Sequence, residues 1–286
     1  MPKKASKGEQ IRYYFDPFDK SRGYFVAYRT PKGAIIAASA KISPFAKIGR
    51  NCVIYPDVKI GAYTKIGEQV VLYPHVNVGD NCRIGTGVQI YTRVSIGNNC
   101  RIGTGVQIEN FSTIHDSVSI GIGVTIHNYV EIFSNALIHG FTRICSESCI
   151  EAGAIVRTSL ANGTIVQKNT WLVSLSPVGD SERLITATCD RNTAELRWFV
   201  GCQHGISTKE LKARVKNKYR HTSSGGRQYR HAIAYVEQHP DYLKIVSYHK
   251  AMQKRAAAAE KKRLAAEKKR SDEIKKGTRS TPRARK

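Results

Sequence analysis

Three histidines set the chemistry worth asking about. His115, His127 and His139 each directly follow an isoleucine, at intervals of twelve residues. An imidazole titrates near neutrality, so it can take a proton from a hydroxyl or an amine as that group attacks an electrophile. Glu109 stands eighteen residues before His127. A carboxylate beside that ring would orient it and raise its basicity. The seven cysteines, Cys52, Cys82, Cys100, Cys145, Cys149, Cys189 and Cys202, include no CxxC pair. Their odd number and spacing speak for free thiols in a reducing compartment and against a zinc ribbon.

Something must hold these side chains in register. From Ile36 to Val156 every sixth residue is Ile, Leu or Val, at 21 positions without a break. The residue two places earlier is small or β-branched, as at Cys52, Val58, Thr64, Val70 and Cys82. Two apolar positions spaced two apart describe a strand with one inward face. The residue after the aliphatic is often glycine, as at Gly49, Gly61, Gly67, Gly79, Gly85, Gly97, Gly103 and Gly121. That offset predicts a recurring corner, where glycine supplies either a positive φ or a close backbone approach.

Blocks such as Val58-Lys59-Ile60-Gly61-Ala62-Tyr63 and Cys100-Arg101-Ile102-Gly103-Thr104-Gly105 resemble those of the hexapeptide-repeat family. The resemblance covers residues 36–156 and extends toward Leu172. It implies an all-β left-handed parallel β-helix, in which three hexapeptides make one coil and stacked positions lie 18 residues apart. The 21 repeats then make seven coils, roughly 34 Å tall at the usual strand spacing. The register slips between Arg157 and Gly163, with Val166 and Leu172 expected to resume it and Trp171 to help close the end. Open coil ends need covers, and the aromatic stretch Ile11–Tyr28 is expected to cap the first coil.

Steps of 18 sort the residues after each aliphatic into columns. One runs Ala37, Tyr55, Tyr73, Tyr91, Glu109, His127, Cys145; another Ser43, Gly61, Gly79, Gly97, His115, Phe133, Glu151; the third Gly49, Gly67, Gly85, Gly103, Gly121, His139, Arg157. The glycines give way only in the later coils, where function is expected. Hexapeptide-repeat proteins are mostly homotrimers, and many are acyltransferases with a His general base between prisms. Their donor is an acyl thioester on coenzyme A or acyl carrier protein. Val124-Thr125-Ile126-His127 is similar to the catalytic stretch of the UDP-N-acetylglucosamine acyltransferases. The resemblance therefore implies His127 as base; the spacing of eighteen puts Glu109 one coil below as its orienter, and His139 and His115, which also replace corner glycines, are further catalytic candidates. It implies no permanently bound cofactor. The γ-class carbonic anhydrases share the fold but use two His five residues apart, a spacing absent here, so no metal site is expected. The pattern departs from the acyltransferases in three ways. No loop interrupts residues 36–156, the Asn-Pro-Ala ending is lacking, and the C-terminal part differs from their helical domain.

The net charge is +24. Residues 34–175 carry 11 basic and 8 acidic side chains, whereas residues 251–286 carry 14 and 4. A nucleic-acid or other polyanion surface is therefore expected in the C-terminal part. There a hairpin is expected at 184–202, with Asp190–Thr193 as its turn. A helix begins at the capping box Ser207-Thr208-Lys209-Glu210, a loop runs from His221 to Arg227, and a second helix from Gln228 to His239. The expected organisation is a cap at 1–33, the β-helix at 34–175, a small hairpin-plus-helices module at 176–242, and a basic helical tail at 243–286. Arg214, Lys216, Lys218, Arg220, Arg227 and Arg230 lie near Tyr219 and Tyr229. Lys261, Lys262, Arg263, Lys268, Lys269 and Arg270 follow in the tail. Such mixtures suit nucleic acid. No apolar run is long enough to span a membrane, and no secretory signal follows Met1–Lys7, so a cytoplasmic setting is expected. Two function classes remain open: a trimeric acyltransferase using His127, and a non-catalytic trimeric scaffold or virion assembly protein with a nucleic-acid-binding C-terminus.

Overall fold

The computed structural model describes residues 9–14, 23–178, 183–200, 203–219 and 223–277. Residues 35–166 wind into a parallel β-solenoid of seven coils. Each hexapeptide supplies a two-residue strand ending on its aliphatic, which turns inward while its neighbour turns out; Lys65–Ile66, Arg83–Ile84 and Thr125–Ile126 are examples. Parallel pairing aligns Ile66 with Ile84, Ile84 with Ile102 and Ile102 with Ile120. The strands thus form three sheets. Face 1 carries Ile36 through Ile144, face 2 carries Ile42 through Ile150, and face 3 carries Ile48 through Val156.

The interior is the stack of these aliphatics and the small residues two places before them. Each fully buried Ile, Leu or Val contributes about 1.5–3 kcal/mol of transfer free energy. Polar groups enter this core only where they bond. Thr64 Oγ1 donates to the Gly79 carbonyl at 2.7 Å and accepts from the Cys82 amide at 3.0 Å. Ser112 Oγ donates to the His127 carbonyl at 2.8 Å and accepts from the Val130 amide at 3.1 Å.

The corners separate the two roles that glycine could have played. Positive φ falls three residues after the aliphatic, as at Asn51, Tyr63, Phe111 and Tyr129 and at Gly105 and Gly123. The glycines directly after the aliphatic serve close approach. A Cβ on Gly103 would lie 2.6 Å from the backbone carbon of Gly121 in the next coil.

At the first coil the edge of face 1 is covered. Glu9–Tyr14 and Tyr24–Arg29 form an antiparallel hairpin whose second strand pairs with Ile35–Ala37 at the edge of face 1. At the far end two residues are lost from the repeat. Leu160, four after Val156, is buried and bridges to Ile144, and Val166 then pairs with Ile150. Leu172 does not resume the coil. It lies in the strand Thr170–Val178, which pairs antiparallel with Arg183–Asp190, although its side chain still packs on the solenoid core. Trp171, pointing the other way by strand alternation, joins the next core.

That core belongs to a four-stranded antiparallel sheet, Thr170–Val178, Arg183–Asp190, Leu196–Val200 and Gln203–Ser207, covered by helices α1 (Thr208–Lys218) and α2 (Ser224–Gln238). The expected hairpin is its middle pair. The capping box at Ser207 and Glu210 starts α1. Helix α2 begins four residues earlier than expected. Ser223 caps it, and Gly226 sits where a Cβ would lie 2.9 Å from the Tyr219 side chain, so this glycine serves packing and not a loop. Helix α3 (Pro240–Gly277) begins on the module through Ile245 and is exposed on every side from residue 251 to 265. No described helix is long and apolar enough to cross a membrane.

Candidate active site

The three histidines occupy three different edges of the prism. His127 lies where face 1 turns into face 2, His115 where face 2 turns into face 3, and His139 where face 3 returns to face 1. The fold therefore does not gather them into one cluster. It does bring His127 and Glu109 together. Gln107 and Ile108 pair with Thr125 and Ile126, and the Glu109 amide donates to the Ile126 carbonyl at 2.8 Å. With both backbones fixed one coil apart, Glu109 Oε2 reaches His127 Nδ1 at 3.1 Å.

A second set of side chains holds the carboxylate. Asn128 Nδ2 donates to the same Glu109 oxygen at 2.8 Å. Asn110 Nδ2 donates to Asn128 Oδ1 at 3.2 Å, and Asn110 Oδ1 accepts from the Thr92 amide at 3.1 Å. These residues form the column one place after the histidine column, which reads Pro56, Pro74, Thr92, Asn110, Asn128. Proline has no amide hydrogen to satisfy. Asn110 enters where the Thr92 amide needs an acceptor; its NH2 passes the bond up to Asn128, whose own NH2 reaches back down to Glu109. The sequence reading missed Asn110 and Asn128 because it followed only the column containing His127.

The carboxylate stands against Nδ1, so Nε2 is the ring nitrogen left to receive a proton from an acceptor. Exposure separates this pair from two other His–carboxylate contacts. The His127 and Glu109 side chains are 30% and 28% exposed. His115 Nε2 meets Glu131 Oε1 at 3.1 Å, with exposures of 37% and 49%, and His75 Nδ1 lies 3.8 Å from Asp57 at 52% and 56%. The His115 ring also stacks on Phe133 at 4.7 Å. Ion pairs so open to water contribute little. His139 is exposed, and its hydrogen bonds are made by its backbone, the amide donating to the Val156 carbonyl at 2.9 Å and the carbonyl accepting from Thr142 Oγ1 at 2.9 Å.

Aromatic rings border the dyad on two sides. Below it Tyr55, Tyr73 and Tyr91 stack at 5.2 and 4.7 Å, continuing into Phe25 and Tyr13 of the cap. This column packs as a stripe under the hairpin. On the same edge Phe111 and Tyr129 stack at 5.1 Å with exposed rings, and the Arg93 guanidinium lies 5.6 Å from the Phe111 centroid. Above His127 stands Cys145. Burial pushes its thiol above the usual 9.0, against a smaller downward pull from Arg143, so it is uncharged near neutrality. Among the described residues no group of three His, Cys, Asp or Glu side chains is placed to hold a metal.

The predicted basic residues are dispersed. Arg214, Lys216 and Lys218 lie on α1 and Arg227 and Arg230 on α2; Lys261, Lys262 and Arg263 are exposed on α3. Lys216 and Arg230 meet across a groove of about 670 Å³ between α1 and α2, lined also by Lys212, Val215, Tyr219 and Ile233. Lys268, Lys269 and Arg270 fall within α3, their side chains outside the described residues, as is Arg220.

A family model described as bacterial transferase hexapeptide, six repeats, matches residues 39–74 and again 75–110. Both matched stretches lie within the solenoid and share its six-residue repeat. Among similar solved structures is the UDP-N-acetylglucosamine O-acyltransferase of Moraxella catarrhalis, at 15% identity over 77% of this chain and 96% of that one, with a TM-score of 0.37. The acetyltransferase domain of PglB from Neisseria gonorrhoeae matches at 18% identity over 51% of this chain and 56% of that one, TM-score 0.28. The match thus spans little more than half of that domain. A perosamine N-acetyltransferase from Caulobacter crescentus, solved with CoA and GDP-perosamine, matches at 21% identity over 46% and 51%, TM-score 0.21. No curated protein matches the chain in sequence.

Proposed function

We propose that this hexapeptide-repeat chain is an acyltransferase acting on a hydroxyl or amine acceptor, with His127 as general base. The observation that carries the reading is the half-buried Glu109 carboxylate, 3.1 Å from His127 Nδ1 and held by Asn128. The acceptor gives its proton to Nε2 of His127 as its oxygen or nitrogen bonds to the carbonyl carbon of a thioester. The C–S bond then breaks, and the leaving thiolate takes the proton back from the imidazolium. Glu109 stabilises the charge the ring carries between these steps. The donor is an acyl-CoA or an acylated carrier protein, and the chain acts as a homotrimer with the His127 edge facing a neighbouring prism. Free buried thiols at Cys52, Cys82, Cys100 and Cys189 suit a reducing, cytoplasmic setting.

A second reading rests on helix α3. Its stretch from 251 to 265 is exposed and bears Lys261, Lys262 and Arg263. A scaffold that docks nucleic acid through this helix would need no histidine chemistry. A thermal-shift screen separates the two readings. The enzyme reading expects coenzyme A or a short-chain acyl-CoA to raise the melting temperature by mass action. No shift with any acyl-CoA or acyl carrier protein, beside retention of an oligonucleotide in a gel, would favour the scaffold.

A further inference from the structure

The solenoid converts sequence spacing into a charge pattern that composition conceals. Lys47, Lys65, Arg83 and Arg101 are the outward residues of four successive strands on face 3. The register pairs Lys47 with Lys65, Lys65 with Arg83, and Arg83 with Arg101. Four exposed cations therefore stand in one file, about 4.8 Å apart. None makes an ion pair among the described residues. Asp80 and Asp116, on the adjoining edge, are engaged with backbone, accepting from the Ala62 and Asn98 amides at 2.6 Å each. Like charges directly opposite one another in a sheet are destabilising. A homotrimer that buried face 3 would crowd three such files together, so the file belongs on the outside.

Beside it is a second feature that a phosphate alone would not need. Phe45 and Tyr63, on the edge between faces 2 and 3, stack at 5.1 Å with rings 51% and 60% exposed. They line one wall of a groove of about 420 Å³ completed by Lys47, Lys65, Asn81 and Arg83. Cations that track a backbone beside an open aromatic surface are the combination that holds unpaired nucleotides.

We infer that face 3 of coils one to four is a binding site for single-stranded nucleic acid, with the cation file along the phosphates and the Phe45–Tyr63 pair as a stacking platform for a base. The site is separate from the His127 edge and from helix α3, and it stands whether or not the chain is an acyltransferase. It was hidden from a segmental charge count, which finds residues 34–175 nearly neutral because the acidic residues sit at corners and on another face, outside this file.

The test uses the full chain and a fluorescein-labelled oligothymidylate of about twelve nucleotides, within the usual single-strand site size. Fluorescence anisotropy is read at several salt concentrations. Replacing Lys47, Lys65, Arg83 and Arg101 with Gln together is expected to weaken binding at least tenfold. It should also reduce the slope of log affinity against log salt by about 3, since each phosphate contact on a single strand contributes about 0.7. Lys65→Gln with Arg83→Gln should give about half that change in slope, and it carries the test should the fourfold variant fold poorly. Tyr63→Ala is expected to weaken binding about fivefold or more with the slope unchanged. Unaltered affinity and slope in the cation variants would overturn the site. So would tighter, file-dependent binding to phosphatidylserine vesicles than to the oligonucleotide. Equal binding of inorganic polyphosphate, with no effect of Tyr63→Ala, would overturn the assignment to nucleic acid.

Discussion

Glu109 is held at two points, by the His127 ring and by the Asn128 amide, and each contact has a different consequence for catalysis. A hydrogen bond to a charged group is worth about 1.5–3 kcal/mol, which is about ten- to a hundredfold in rate. Glu109→Gln should therefore lower kcat by about that factor in an acyl-transfer assay. Asn128→Ala removes a contact that only steadies the carboxylate, and it should lower kcat less than Glu109→Gln does. Equal losses from both variants would mean that the network acts structurally and not through the base. The Glu109–His127 meeting was legible in the sequence because both residues stand in one column at a spacing of eighteen. Asn110 and Asn128 were not, because their role appears only when a neighbouring column is read and each backbone amide is asked for its acceptor. Phe111 and Tyr129 were hidden for a related reason. Bulky aromatics at positive φ are unexpected, and only the stacking along the edge explains their pairing.

The hexapeptide itself was the most legible element, since an unbroken aliphatic period leaves little else for the chain to do. Its corners needed coordinates. Glycine directly after the aliphatic and glycine three places after it look alike in sequence but answer to different physics. Gly103 has φ outside the left-handed region, and its missing Cβ makes room for the next coil's backbone. Gly105 has φ of +67° and open space around it. Gly105→Ala should cost about 1–2 kcal/mol, the left-handed penalty. Gly103→Ala should cost more, because the backbone of the next coil at Gly121 and Ile122 must shift, and should lower the urea midpoint further. The reverse order would contradict the corner assignment. Where the repeat decays, the sequence became ambiguous. Leu172 fits the period by arithmetic, yet strand pairing with Thr188 claims it, because Trp171 and Val173 have the second core to fill. The start of α2 was misplaced because Ser223-Ser224-Gly225-Gly226 reads as a loop until Tyr219 is seen packed against Gly226.

At the scale of the whole molecule, charge is distributed in two ways. The tail is basic by composition, and face 3 is basic by register. Deleting residues 251–286 removes 14 basic and 4 acidic side chains, taking the net charge from +24 to +14 (24 − 14 + 4). The truncated chain should elute from a heparin column at lower salt; elution at the same salt would place the polyanion contact outside the tail. The net charge was legible at once, but the file of cations required knowing that residues 18 apart become neighbours. Three separate edges carry the three histidines, so the enzymatic account stands on His127 alone. The most direct measurement is release of free thiol from an acyl-CoA in the presence of hydroxyl and amine acceptors, comparing the native chain with His127→Ala after circular dichroism shows both folded. A positioned general base contributes about 10²–10⁴-fold, so turnover of the variant is expected to fall by at least about a hundredfold. Thiol release undiminished in the variant would contradict the account.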